Sequence, residues 1–224
     1  MKKHWIPAIT TLVVASLACN FGGILSGSGT TEPSNVLFQD DFSNSFSGWD
    51  SVSDDDGVTD YKDNSYQIQV NTIGTHGNGM DMWANPGKDF DQDVRVEVDA
   101  TKIGGPENND MGVICRYTHS DDNYNFYYFL ISSDGYIGIA KMENSESKII
   151  SGKDLVPSDT VKKDAVNHIR GDCIGSKLTL YVNGEKAATV TDTSFTSGDV
   201  GLIAGTFDTP GTDIQFDNFV VTKP

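Results

Sequence analysis

Two carboxylates stand at alternate positions in Glu97-Val98-Asp99-Ala100-Thr101, a spacing that puts both on one face of an extended chain. A pair of carboxyl groups flanking a sugar's scissile bond, one protonated and one ionised, is the chemistry of glycoside hydrolysis. Other reactive groups give less. His76, His119 and His168 form no HxH or HExxH pattern, and no serine lies in a G-x-S-x-G elbow, so zinc or serine hydrolysis has no local support. Asp89-Phe90-Asp91-Gln92-Asp93 begins like a calcium loop, yet Val94 stands where that loop requires glycine and Ala100 where it requires glutamate. Binding chemistry is better supplied. Sugars offer apolar C–H faces to aromatic rings and hydroxyls to planar polar groups, and Trp83, Tyr127, Tyr128, Tyr136 and Arg116 provide both kinds of partner. The same aromatic residues also suit a sandwich core. Arg116, a charge in a mostly apolar strand, needs either a ligand or a carboxylate partner such as Glu97.

These side chains must be positioned by strands. Twenty-three glycines, eight tyrosines and eleven phenylalanines among 224 residues favour short strands joined by turns. In residues 93–99 valines alternate with charges, as expected of a strand with one buried face. Residues 125–131, Asn-Phe-Tyr-Tyr-Phe-Leu-Ile, are apolar on both parities, which places them in mid-sheet with both faces covered. The strand pattern at 177–182, then Asn183-Gly184, then the pattern at 185–190 predicts a hairpin with a type I′ turn. Further strands are expected over 36–42, 66–71, 80–83, 111–119, 136–142, 166–173, 200–204 and 214–221. About twelve strands, with no long helix and no internal repeat, indicate an all-β, two-sheet antiparallel β-sandwich. Cys115 and Cys173 each fall in an expected strand; the sequence leaves open a disulfide between them or two buried thiols.

The N-terminal segment reads as an address. Lys2 and Lys3 precede an apolar run from Trp5 to Ala18, too short for a bilayer, which needs roughly 20 residues. Ser16-Leu17-Ala18-Cys19 resembles a bacterial lipoprotein signal, which implies removal of residues 1–18 and lipidation of Cys19. Residues 19–35, rich in glycine and serine, then form a flexible linker, and residues 36–224 form the folded domain. A lipoprotein cysteine carries more than one acyl chain, as lasting attachment requires. The expected location is the bacterial cell envelope, exported and membrane-anchored. With 16 basic against 32 acidic residues the net charge is -16, which argues against nucleic acid and against membrane contact other than through the anchor.

The order Phe38-Gln39-Asp40-Asp41-Phe42, Gly48-Trp49, Gly112 to Tyr117, Asn125 to Phe129, Asp134-Gly135-Tyr136, Leu178 to Gly184 and Phe216-Asp217-Asn218-Phe219 carries a family likeness. It resembles concanavalin A-like lectin/glucanase jelly rolls, especially the laminin G-like and 3-keto-disaccharide hydrolase-like branch. That resemblance implies two curved sheets, a concave face that often holds glycans, and frequently a calcium ion on the opposite side. For the ion it implies Asp217, with Asp41 contributing if its strand lies beside the last one. Family 16 glucanases place Glu, Asp and Glu at alternate positions of one strand; here Glu97 and Asp99 match and Thr101 replaces the last glutamate, so that catalytic set is incomplete. The expectation is a monomeric, lipid-anchored, lectin-like carbohydrate-binding domain stabilised by calcium. The alternatives are a glycoside or 3-keto-disaccharide hydrolase and a laminin G-like adhesion module.

Overall fold

The structure is a computed structural model that describes residues 35–74, 79–91 and 93–224. The expected signal peptide, Cys19 and the linker up to residue 34 lie outside the described residues. Sixteen strands form two antiparallel sheets, and no helix occurs among the described residues. The nine-stranded sheet runs β14 (Glu185–Thr191), β13 (Lys177–Val182), β12 (Asn167–Ile174), β6 (Val94–Gly104), β16 (Thr212–Thr222), β4 (Ser65–Val70), β3 (Gly57–Lys62) and β2 (Val52–Ser53). On it β1 (Val36–Asp40) pairs with β16. The seven-stranded sheet runs β10 (Glu146–Ile149), β9 (Tyr136–Glu143), β8 (Asn123–Ile131), β7 (Asn109–Ser120), β15 (Asp199–Thr206) and β5 (Met80–Ala84), with β11 (Val156–Pro157) on β9.

Alternation decides which side chains fill the space between the sheets. On β6, Val94, Val96, Val98 and Ala100 point inward and are at most 2% exposed, while Arg95, Glu97 and Asp99 face out. On β8, Tyr127, Phe129 and Ile131 join this main core. Their neighbours Phe126, Tyr128 and Leu130 are also buried, in a second cluster with Ile114, Ala140, Met142 and Ile203 on the far side of the same sheet. A strand apolar on both parities thus has both faces covered. Asn183 and Gly184 take φ of 52° and 85°, as the type I′ hairpin between β13 and β14 requires.

The disulfide left open by the sequence is formed: Cys115 on β7 and Cys173 on β12 bridge the two sheets, with Cα atoms 6.8 Å apart. Next to it the expected partner of Arg116 is corrected. The β7–β8 register slips between Cys115 and Thr118, and Arg116 takes φ of 57°, turning its side chain inward. Its guanidinium donates to the Phe195 carbonyl at 2.9 Å, to Asp93 at 3.3 Å and to the Cys173 carbonyl at 3.4 Å. Glu97 is out of reach because the inward valines on either side of it aim it to the opposite face of the nine-stranded sheet.

Candidate functional site

The two alternating carboxylates on β6 lie in an ion-pair ladder across the outer face of the nine-stranded sheet. Register sets Glu97 opposite Arg170 and Asp99 opposite His168. His168 Nδ1 is 2.8 Å from Asp99, Arg170 Nε is 3.7 Å from Glu97, and Arg170 also pairs with Asp172 at 2.7 Å. The Arg170 guanidinium stacks 4.1 Å above the Tyr181 ring. Every member has a protein partner, so this row is a cross-strand brace rather than an acid and a base facing a sugar.

The outer face of the seven-stranded sheet is different. Here β15 lies between β5 and β7, and register aligns Asp81, Gly205 and Asp110 in one row and Trp83, Ile203 and Gly112 in the next. Side chains two apart on a strand share a face, so Trp83 and Asp81 look out together. Trp83 stands 5.1 Å from Tyr124 and 5.5 Å from Phe126, and Tyr117 lies 5.7 Å from Phe126. Trp83, Tyr117 and Tyr124 are half-buried, so this aromatic wall keeps ring edges and faces open to solvent. Beside it a cleft of about 520 Å³ is lined by Asp81, Asp110, Tyr128, Ser147, Leu155 and Phe207, among others. The Tyr128 hydroxyl bonds to Ser147 Oγ.

Electrostatics in this cleft are dominated by the two carboxylates. With no side chain on Gly205 they lean toward each other. A Cβ placed there would be 2.1 Å from Asp81 Oδ1 and 2.7 Å from Asp110 Oδ1, so the two oxygens are no farther apart than the sum of those distances. Burial pushes Asp81 up to about 6. Burial, and then the charge on Asp81, push Asp110 well above its ordinary value. Burial, and then the charge on Asp81, likewise raise the Tyr128 hydroxyl.

The five binding residues expected from the sequence divide between faces. Tyr128 lines the cleft, and Trp83 stands on the same face, two residues along β5 from the cleft residue Asp81. Tyr136, 39% exposed, borders a neighbouring recess that shares Leu155 and Phe207 with it. Tyr127 and Arg116 lie between the sheets instead, because of strand parity and the β7 bulge. The Tyr127 ring packs 4.8 Å from Phe195 and its hydroxyl donates to Asp192 at 2.5 Å. Burial pushes Asp192 up, but bonds from Ser194 and Tyr127 and the charge of Lys141 outweigh it and hold Asp192 down at about 2.

The expected calcium ligands border separate recesses, Asp41 with Gln39 and Asp40, Asp217 with Asp63 and Asp99. Asp41 accepts from the Ser43 hydroxyl at 2.7 Å, and Asp217 accepts from the Asn218 amide at 2.7 Å. Among the described residues no group of three or more His, Cys, Asp or Glu side chains is placed to hold a metal. Asp81 and Asp110 went unread in the sequence. Each occupies an outward position beside apolar residues, in Met80-Asp81-Met82-Trp83 and Asn109-Asp110-Met111, where a lone carboxylate reads as solvent-facing. The usable signal was the one applied to Arg116, a charge inside an apolar strand that needs a partner.

No family model and no curated relative matches the chain. Solved structures do. Carbohydrate-binding module CBM66 from Bacillus subtilis superposes with a TM-score of 0.61 at 16% identity, covering 79% of this chain and 96% of its own. The β-glucanase of Bacillus licheniformis gives 0.60 at 8% identity, covering 84% and 98%. A Bacillus subtilis protein of unknown function with a galectin-like fold gives 0.59 at 12% identity, covering 84% and 95%. At such identities the likeness establishes the fold, a concanavalin A-like jelly roll.

Proposed function

We propose that the chain is an exported, lipid-anchored carbohydrate-binding module that takes its ligand on the outer face of the seven-stranded sheet. The observation that carries this reading is the aromatic wall of Trp83, Tyr117 and Tyr124 next to a cleft ending in Asp81 and Asp110. Rings accept the C–H face of a sugar, and carboxylates accept its hydroxyls. That one fold-mate is a carbohydrate-binding module and another a glucanase makes a glycan a reasonable first ligand to test. Lipidation of Cys19 would hold the domain at the envelope, and a Cys19→Ser protein is expected to lose membrane partitioning and lipid label. Calcium stabilisation, with Asp217 and Asp41 among the ligands, belongs to the same reading.

A second reading, glycoside hydrolysis, is favoured by one observation, the closeness of Asp81 and Asp110. Retaining glycosidases hold their two carboxyl groups about 5–5.5 Å apart, with one protonated and one ionised. The purified protein on a glycan array, with calcium and with chelator, tests binding; reducing-end release from each retained glycan tests hydrolysis. Retention without release supports the module, and release lost in Asp110→Asn supports the enzyme. If no glycan is retained, the adhesion-module reading takes its place.

A further inference from the structure

The cleft on the outer face of the seven-stranded sheet holds negative charge that its own residues do not answer. Asp81 on β5 and Asp110 on β7 flank β15 at Gly205, whose missing side chain lets their Oδ1 atoms come close together. Asp110 is 3% exposed, lines the cleft, and its Oδ1 has no hydrogen-bond partner among the described residues. Asp81 is half-buried, so a guest in the cleft can meet its carboxyl group. Among the described residues lining the cleft there is no lysine, arginine or histidine.

Carboxylates withdrawn from water need a proton or a cationic partner. Calcium is a poor partner here, since it takes about six to eight oxygens and two carboxyl groups do not supply that shell. An ammonium group asks less, because its three N–H donors are met by carboxylates and hydroxyls together. Both kinds of acceptor are present, for the exposed Ser145 and Ser147 line the same cleft. Leu155 and Phe207, half-buried, give it an apolar seat of the kind a sugar's C–H face takes. We propose that the guest is a sugar carrying a free primary amine, its ammonium set against Asp81 and Asp110 and its ring on Leu155 and Phe207. A cleft of about 520 Å³ accommodates such a unit. Trp83, two residues along β5 from Asp81, continues the same face toward the next unit of a chain. The net charge of -16 draws a polycationic chain toward the molecule. This inference rests on the carbohydrate reading and narrows it to a cationic sugar.

The test compares two ligands on the whole protein by calorimetry, the tetrasaccharide of glucosamine and that of N-acetylglucosamine, at a pH where the amine is protonated. Their backbones are identical, and acetylation removes the charge. The amine form should bind about tenfold or more tightly than the acetylated one. Asp81→Asn and Asp110→Asn should each bring the two ligands within about threefold of each other. Asparagine is close to isosteric and uncharged, so both variants should melt no lower than the wild type, which separates lost recognition from lost fold. Glu185→Gln removes an exposed charge from β14 on the other sheet and should keep the full preference. A preference that survives both Asn substitutions, or that disappears in Glu185→Gln, would overturn the proposal in favour of general attraction to an acidic protein. Tetralysine bound as tightly as the glucosamine tetrasaccharide would overturn it as well, since the sugar would then contribute nothing. Equal binding of the two tetrasaccharides, or retention of neutral glycans alone, would overturn the amine and leave the carbohydrate reading standing. A glycan array blank for every sugar, these two included, would remove both.

Discussion

Trp83 keeps part of its indole open while its inner edge rests on Tyr124 and Phe126. If the outer face receives a sugar, Trp83→Ala removes the stacking surface and should weaken binding at least tenfold, about 1.4 kcal/mol. Arg116 is the contrasting case. It is 3% exposed, reaches two backbone carbonyls and Asp93, and touches no part of the cleft. Arg116→Met should cost on the order of 3 kcal/mol in folding stability, by urea denaturation, because buried acceptors lose a charged donor. Glycan affinity of the Arg116→Met protein, measured where it remains folded, should match the wild type. A large affinity loss there, with Trp83→Ala neutral, would move the binding surface away from the seven-stranded sheet.

At the scale of elements, the Cys115–Cys173 bridge ties β7 to β12 across the core with a sequence separation of 58. Opening a loop of that length relaxes the unfolded chain by roughly 4 kcal/mol in the entropic treatment, so the double Ser variant should lose an amount of that order in denaturant titrations. Strands were legible wherever a single chain segment carries its own pattern, as in the valines of β6, the doubly apolar β8 and the Asn183-Gly184 turn. Four strands were not. β3 reads Gly57-Val58-Thr59-Asp60-Tyr61-Lys62 after the run Asp54-Asp55-Asp56, and it is β4, paired along its whole length, that makes it extended. β10 is exposed and polar, and β2 and β11 have two residues each, so pairing rather than composition creates them. The site divides along the same line. Trp83 and Tyr128 were legible from residue type, whereas Asp81 and Asp110 become a pair only through the register of β15, which no local pattern encodes.

Over the whole molecule, a net charge of -16 makes the folded state self-repelling at neutral pH, and the buried carboxylates give that repulsion a definite direction. Burial raises Asp81 and Asp199 from the ordinary value of 3.8 to about 6, and Asp110 moves up as well. A raised folded value means the native state holds more protons than the unfolded chain, so stability is greatest at acid pH and declines as pH rises through the window from 3.8 to about 6. For a group as buried as Asp199 this amounts to roughly 2–3 kcal/mol at most. Asp192, held at about 2, works in the other sense, its contribution lost as pH falls below the ordinary 3.8. The protein should therefore melt highest near about pH 4–5 and lower on either side. Melting curves recorded across this range should show that maximum, and Asp199→Asn should flatten the decline between 3.8 and about 6. A melting temperature that instead climbs steadily from about pH 4 to 7 would mean that Asp81 and Asp199 are not penalised in the folded state.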